Sequence, residues 1–331
     1  MPYDAEVVVV GAGVMGLAAA RALTQHGRDV LVLEQFELGH KRGSSHGTSR
    51  IVRLSYPVVE WVRLAQEAYP LWRELEDEWG ERLLELRGTL DLGDWGPNRE
   101  ALEACGIGSE VLDAAEIERR FGIGVEAGER GLYQPDGGIA YADRVLRALA
   151  AGASVHEGKR VESVEENDGA VLVGDVRARA AVVTAGAWAP SLVGVDATPT
   201  RETTSYFALP EPVPSVIDTH GGADHGYALI APGVGLKAGL HQSGPAVDPD
   251  ETAPPDPGIA ERTAEWVSRR FPRAGEPLGS ETCFYTRRAG DAFLLERRGR
   301  IVVGSPCSGH GFKFAPVIGR RLAALVDEAL A

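Results

Sequence analysis

Cysteine is scarce. The 331 residues hold three, Cys105, Cys283 and Cys307, an odd number with no C-x-x-C pair, which excludes a disulfide framework or a zinc knuckle and suits a reducing cytoplasm. Nowhere do about 18 apolar residues run together, so no membrane span is expected. Met1 to Glu6 lacks the basic stretch and apolar core of a secretory leader. Basic charge is also in deficit: 34 Lys and Arg face 48 Asp and Glu, a net charge of −14. That balance argues against a nucleic-acid backbone or an anionic membrane as partner, and any bound anion needs a local positive pocket. Internal repeats and low-complexity tracts are missing too. What remains is a chain of ordinary composition, 44% hydrophobic and 25% charged, long enough for about two domains.

Glycine is the one residue in excess, 41 of 331, or about 12% where about 7% is usual, which implies tight turns or close backbone approaches to a ligand. The first of these is informative. Ala5 to Val10 reads as a buried strand, Leu17 to His26 as a helix closed by Gly27, and Asp29 to Glu34 as a second strand. Between them lies Gly11-Ala12-Gly13-Val14-Met15-Gly16, with the acidic Glu34 ending the second strand. Gly11, Gly13 and Gly16 in this β-α-β setting form a dinucleotide fingerprint: the turn brings backbone N–H groups and the positive helix end to a pyrophosphate, and Glu34 accepts from ribose hydroxyls. The acidic residue disfavours a 2′-phosphate; FAD and NAD both remain open.

Further along, Val58 to Trp79 carries Trp, Leu and Ala at helical spacing and predicts a long amphipathic helix with Pro70 inside it. Strands and turns are expected at Gly88 to Gly93 and Gly131 to Tyr141, helices at Ala114 to Phe121 and Ala142 to Ala151. Val155 to Glu165 and Ala170 to Val173 read as a hairpin about Asn167-Asp168-Gly169, followed by a strand at Ala180 to Thr184. Residues 200 to 283 are rich in Pro and Gly around extended segments, with one helix near Ile259 to Arg270, and look like an inserted domain. A strand at Ile301 to Gly304 and a helix from Val317 to Leu330 close the chain.

Four clusters hold reactive or cationic side chains: Gly43-Ser44-Ser45-His46-Gly47-Thr48-Ser49-Arg50-Ile51-Val52-Arg53, Gly235-Leu236-Lys237-Ala238-Gly239-Leu240-His241, Thr282-Cys283-Phe284-Tyr285-Thr286 and Ser308-Gly309-His310-Gly311-Phe312-Lys313-Phe314. Alone, the first three read as a solvated loop, a strand with a surface lysine, and a buried thiol. Only in the fourth are the Gly-flanked His and the nearby Lys poor choices for packing.

Taken in order with the fingerprint, Pro135 to Gly138 and Gly186 to Trp188, these stretches resemble the monomeric sarcosine oxidase and N-methyltryptophan oxidase family of flavin-dependent amine oxidases over nearly the whole chain. The resemblance implies an α/β fold. A Rossmann-like FAD-binding domain (residues 1–83, 133–199 and 284–331) would carry an inserted α+β substrate domain (84–132 and 200–283) containing a mixed antiparallel sheet. It implies FAD held as a thioether through Cys283, with Cys105 and Cys307 structural. It places Lys237 beside flavin N5, where its charge favours electron transfer to O₂, with Arg50 as companion. Arg53 and Lys313 would clamp the substrate carboxylate. Tyr227 and His241 would line the substrate face, His310 would approach the ring, and Ser45, His46, Ser49, Gly309, Gly311 and Lys313 would lie by the cofactor. The implied reaction is oxidation of a secondary amino acid, N-methylated or cyclic, to an imine with O₂ reduced to H₂O₂, in a monomer. A dehydrogenase using another acceptor and a flavin-binding module without activity are the alternatives. After Arg53 the chain reads Leu54-Ser55-Tyr56-Pro57 where familiar members carry a different lid, so the substrate's size stays open.

Overall fold

A computed structural model describes residues 3–220 and 225–331. Two eight-stranded sheets and a three-stranded sheet organise the chain. In the first sheet, Ala5–Val10 pairs in parallel with Val30–Leu33 on one side and Val176–Val183 on the other. Ser154–His156 extends it beyond Val30–Leu33. The outer edge of Val176–Val183 is shared: the hairpin strand Ala170–Val173 takes its first half and Ile301–Ser305, in parallel, its second. Val7, Val8, Val9, Val182, Val302 and Val303 are fully buried, as expected for β-branched residues in a sheet covered on both faces.

These parallel strands all end on one side, and their carboxyl ends open into the loops that begin at Gly11, Glu34, Thr184 and Pro306. In such a sheet, ligands bind outside the carboxyl ends, where connections diverge. One expectation changes here. The stretch Val155 to Glu165 is not a single strand: Ser154–His156 joins the parallel sheet, while only Val164–Asn167 pairs with Ala170–Val173. The hairpin turn itself is as expected, with Asp168 at φ 48° and Gly169 at φ 73°, the positive pair that a two-residue turn demands.

The second sheet runs in spatial order Pro277–Arg287, Thr198–Ala208, Gly235–Leu240, Gly226–Ala231, Ser215–Asp218, Thr89–Leu92, Arg130–Gln134 and Glu110–Asp113. All neighbours are antiparallel except Ser215–Asp218 with Thr89–Leu92. Alternation sorts its side chains. Leu90, Leu92, Val216, Ala228, Leu236 and Ala238 face the helix Pro257–Arg270, whose Trp266 and Val267 complete a core. Asp91, Ile217, Tyr227, Leu229 and Lys237 emerge on the opposite face, toward the first sheet. The three-stranded sheet of Arg50–Val52, Gly138–Ala140 and Leu84–Leu86 lies between.

The helix Val59–Trp79 runs through Pro70. It buries Trp72, whose Nε1 donates to the carbonyl of Lys313 at 2.8 Å. The predicted helices at 114–121 and 142–151 are present as Ala114–Phe121 and Ala142–Ala150, while the helix Gly96–Ala104 went unread. Among the described residues, no helix is long and apolar enough to cross a membrane.

The fingerprint helix Val14–Gln25 packs closely on the closing helix Ala315–Leu330. A Cβ at Gly319 would lie 2.5 Å from the carbonyl oxygen of Ala18. Gly319→Ala would gain about 1 kcal/mol of helix propensity but lose about 1–3 kcal/mol to overpacking against a backbone atom that cannot yield. The overpacking should win, and urea denaturation should show a lower midpoint for the variant with an unchanged slope.

Candidate active site between the two sheets

A cavity of about 1100 Å³ opens between the carboxyl ends of the first sheet and the free face of the second. Its first end is the fingerprint. Gly11 has φ 96°, and a Cβ there would stand 2.8 Å from the carbonyl of Thr184. Gly16 does not line the cavity; a Cβ on it would fall 1.8 Å from the Gly11 carbonyl, so its role is to let helix and turn touch. Gly13 begins the helix with no side-chain cap. Instead Val14 N–H donates to Ser45 Oγ at 3.0 Å. Glu34, 4% exposed, accepts from Ala12 N–H at 2.7 Å and from Phe36 N–H at 3.0 Å. Two backbone donors thus aim its carboxylate along the strand ends.

The loop 43–50 then crosses to the second sheet. Ser49 Oγ donates to the Ile230 carbonyl at 2.6 Å, and His46 Nε2 lies 3.1 Å from the Thr282 carbonyl. Arg50 holds the loop's own shape, donating to the carbonyls of Ser44 at 2.8 Å and Ser49 at 2.8 Å. Burial and the Arg50 charge drive His46 down to about 4, so its ring is neutral at pH 7.

Cations concentrate in this cavity wall. The chain has only four lysines, Lys41, Lys159, Lys237 and Lys313, and two are buried: Lys237 at 4% exposure and Lys313 at 6%. Lys237 Nζ lies 2.8 Å from Glu281 Oε1. Lys313 Nζ donates to the His310 carbonyl at 2.8 Å, and burial, followed by the Arg53 charge, pushes it well below the ordinary lysine value. Arg53 stacks 4.3 Å from the Tyr56 ring and faces Asp91 across 3.6 Å. Burial raises the Asp91 carboxyl against the pull of Arg53, and its Oδ1 accepts no hydrogen bond.

Two histidines complete this end. His241 lies 5.5 Å from the Tyr285 ring, and His310 sits among Trp61, Phe293 and Tyr56 at 5.0, 4.8 and 5.9 Å. Burial lowers them to about 4 and about 3; Arg53 assists at His241 and Lys313 at His310. Tyr227 is raised above its ordinary value by burial and by Cys283. Its hydroxyl lies where a Cβ on Gly239 would come within 2.7 Å, and Tyr285 similarly fills the space left by Gly309. Gly311 admits no Cβ, which would lie 1.8 Å from the Pro306 carbonyl. Cys283 lines the cavity, its thiol raised by burial and drawn back by Arg50 and Lys237. Cys307 lines the cavity too and accepts from Thr286 N–H at 3.4 Å.

The FAD dependent oxidoreductase (DAO) family matches residues 6–325. The chain belongs to this family. This oxidoreductase is 32% identical over 353 residues to the peroxisomal sarcosine oxidase of Mus musculus, covering 96% of the chain and 90% of that protein. It is 29% identical over 357 residues to the monomeric sarcosine oxidase of Bacillus sp. (strain NS-129), covering 97% and 92%. Among solved structures, NikD, an unusual amino acid oxidase essential for nikkomycin biosynthesis, superposes with a TM-score of 0.86 at 26% identity, over 100% of this chain and 98% of that one. The L-proline dehydrogenase of P. horikoshii shares the fold, with a TM-score of 0.85 at 20% identity over 99% and 94%.

The residues fit FAD. The glycine cradle leaves room for a pyrophosphate, Glu34 is aimed for a ribose, and the buried nitrogens His46 Nδ1 and His310 Nδ1 have no hydrogen-bond partner among the described residues. Among the described residues no cluster suited to a metal ion occurs. Every site residue expected from the sequence lines this one cavity except Gly16. Sequence reasoning missed Tyr56, Asp91, Tyr285 and Glu281. The first lay in a segment noted only as an unfamiliar lid, and the others are single residues inside ordinary strands.

Three histidines held neutral in the fold give a pH signature. Unfolded, they titrate near about 6.5; folded, His46 and His241 protonate only near about 4 and His310 near about 3. The unfolded chain therefore binds more protons in between, so their contribution to stability is complete above about 6.5 and is lost as pH falls through about 4. Urea midpoints should drop over that window, and His310→Phe should make the drop shallower.

Proposed function

We propose that this oxidoreductase is an FAD-dependent oxidase of small amino acids bearing a secondary amine, N-methylated or cyclic, and that it yields an imine and H₂O₂. One observation carries the reading: Arg53 and Lys313 are brought together at the end of the cavity away from the dinucleotide cradle, one stacked on Tyr56 and the other 5.6 Å from the same ring. Asp91, 3.6 Å from Arg53, balances one of these two charges, and a second anion in the dry wall would balance the other. A substrate carboxylate supplies that anion, bound bidentately by the guanidinium. The names of the sarcosine oxidase and NikD relatives support the same substrate class.

Held by the turn at Gly11, the helix start at Gly13 and the Glu34 carboxylate, FAD would supply the two-electron chemistry that oxidises the carbon beside nitrogen at the expense of O₂. The chain's own residues orient and tune. Arg53 and Lys313 hold the carboxylate, and their charge lowers the pKa of the substrate amine, so that it binds in the neutral form the reaction needs. His241, neutral at pH 7, and Tyr227 face the substrate without adding charge. Lys237, with Arg50 behind it, supplies the positive potential that assists O₂ reduction. We assign Gly11, Gly13, Gly16, Glu34, Ser45, Ser49, Gly309 and Gly311 to the cofactor cradle, and His46 and His310 to its polar contacts.

Tethering belongs to the same proposal. Cys283 is the thiol assigned to join the flavin, because it lines the cavity and Arg50 and Lys237 offset part of the burial that raises its thiol. We also assign residues 1–83, 133–199 and 284–331 to the cofactor and 84–132 and 200–283 to the substrate. The strands Arg130–Gln134 and Pro277–Arg287 span two of those boundaries. A monomer in the cytoplasm agrees with the name of the bacterial relative and with three unpaired cysteines.

Peroxide release should follow addition of sarcosine, bulkier N-methyl amino acids or cyclic imino acids. Amines stripped of the carboxylate should fall about 100-fold or more in kcat/KM. Arg53→Met should raise KM about tenfold or more. Equal turnover of amines without a carboxylate would end the proposal.

Acid-precipitated protein should remain yellow, and Cys283→Ser should release the colour into the supernatant. A colourless pellet from the parent protein rejects the thioether.

A further inference from the structure

Lys237 and Glu281 stand on strands that do not touch. Gly235–Leu240 and Pro277–Arg287 flank Thr198–Ala208 on opposite sides, with Lys237 opposite Tyr206 and Glu281 opposite Thr204. Their side chains meet across the middle strand, Nζ to Oε1 at 2.8 Å. Tyr206 donates its hydroxyl to that same oxygen, and its ring lies 5.5 Å from the ammonium. From the other side the loop 43–50 closes over the pair. Gly47 has φ 101°, and a Cβ there would lie 3.3 Å from Arg50 Nη1, 3.4 Å from Glu281 Oε1 and 3.5 Å from Lys237 Nζ. The positive φ, rather than lack of space, is what calls for glycine at this point of the loop.

We propose that Glu281 is the positioning residue for Lys237: it is the internal counter-ion that keeps this buried ammonium protonated and fixes where its charge sits in the cavity wall. The groups facing Lys237 decide the matter. The loop brings Arg50 and His46, the middle strand Tyr206, and the far strand Cys283 and Glu281. The neighbouring strand sets apolar Leu229 opposite Lys237, with Tyr227 two positions along. Arg50 repels the ammonium. His46 is neutral, and burial raises Cys283, Tyr206 and Tyr227 so that all three stay neutral at pH 7. Among the described residues, Glu281 is the one anion in this shell. Burial pushes its carboxyl up, but Lys237 and Tyr206 pull harder and leave it below the ordinary value.

The carboxylate has two opposed effects on O₂ reduction, and their sizes differ. It offsets part of the lysine's field. Without it, however, a desolvated ammonium beside a fixed guanidinium would surrender its proton, since burial alone shifts lysines by up to about 3–5 pH units, and a neutral amine offers no field at all. A paired cation outperforms a discharged one. The inference rests on reading Lys237 as the cation that assists O₂ reduction, but its coupling to Glu281 can be measured separately.

With four lysines in the chain, holoenzyme labelled at lysine ¹³Cε gives four resonances, and Lys237→Met assigns the one of interest. In the parent, burial and Arg50 hold the Lys237 midpoint below the ordinary lysine value, and the resonance should be at its charged position at neutral pH. In Glu281→Gln its titration midpoint should move down. Glu281→Asp keeps the charge one methylene further away, so its midpoint should move less; that variant suffices should the first not fold. In parallel, reoxidation of the reduced holoenzyme by O₂ should be flat around neutral pH in the parent and should fall about tenfold or more on the alkaline side in Glu281→Gln. Lys237 midpoints unchanged in both variants overturn the proposal. If the midpoints fall while Lys237→Met reoxidises as fast as the parent, the coupling stands and the oxygen role of Lys237 is what fails.

Discussion

The structure turns on how positive charge is kept in a nearly dry wall. Arg50, Arg53, Lys237 and Lys313 enter one cavity of a protein whose net charge is −14. Each has a different solution to desolvation. Arg50 spends its donors on carbonyls of its own loop. Arg53 combines a ring face with a distant carboxylate, Lys237 takes a carboxylate outright, and Lys313 has a single carbonyl. The least compensated of the four is Lys313, and it is also the one assigned to meet an incoming anion. Charge left unbalanced in the folded chain is thereby concentrated where a ligand can complete it.

The same logic sorts the two sheets. The first has a parallel, aliphatic centre with antiparallel strands at its margins, and contributes strand ends, helix ends and backbone donors to the cavity. The second is antiparallel, so alternate residues reach opposite faces; one face packs on the helix Pro257–Arg270 while the other carries Asp91, Tyr227 and Lys237. A parallel layer suits recognition of a pyrophosphate by the main chain, and an alternating layer suits side-chain chemistry. Membership of the FAD dependent oxidoreductase family accords with this division.

Much of this was legible from residues alone, where local physics decides. Gly11 and Gly16 after a β-branched strand specify a turn with no room for a side chain, and Asp168-Gly169 specifies a hairpin. Where pairing is long-range, the sequence is mute. Ser154–His156 looked continuous with the following hairpin because nothing local reveals that its partner is Leu31 to Leu33, more than a hundred residues away. Glu281 and Asp91 escaped notice for the same reason. Each is one acidic residue in a strand, given meaning by a cation 44 or 38 positions distant. Cys307, read as structural, accepts from Thr286 N–H and also lines the cavity.

The contact of Arg53 with Asp91 has an implication for how the molecule matures. The guanidinium comes from the chain just past the three-stranded sheet, and the carboxylate from a strand of the second eight-stranded sheet. Neither layer alone possesses a balanced pocket. A nascent chain with only one layer formed would present the cation or the anion without its partner, so this pair is complete only once the layers have docked.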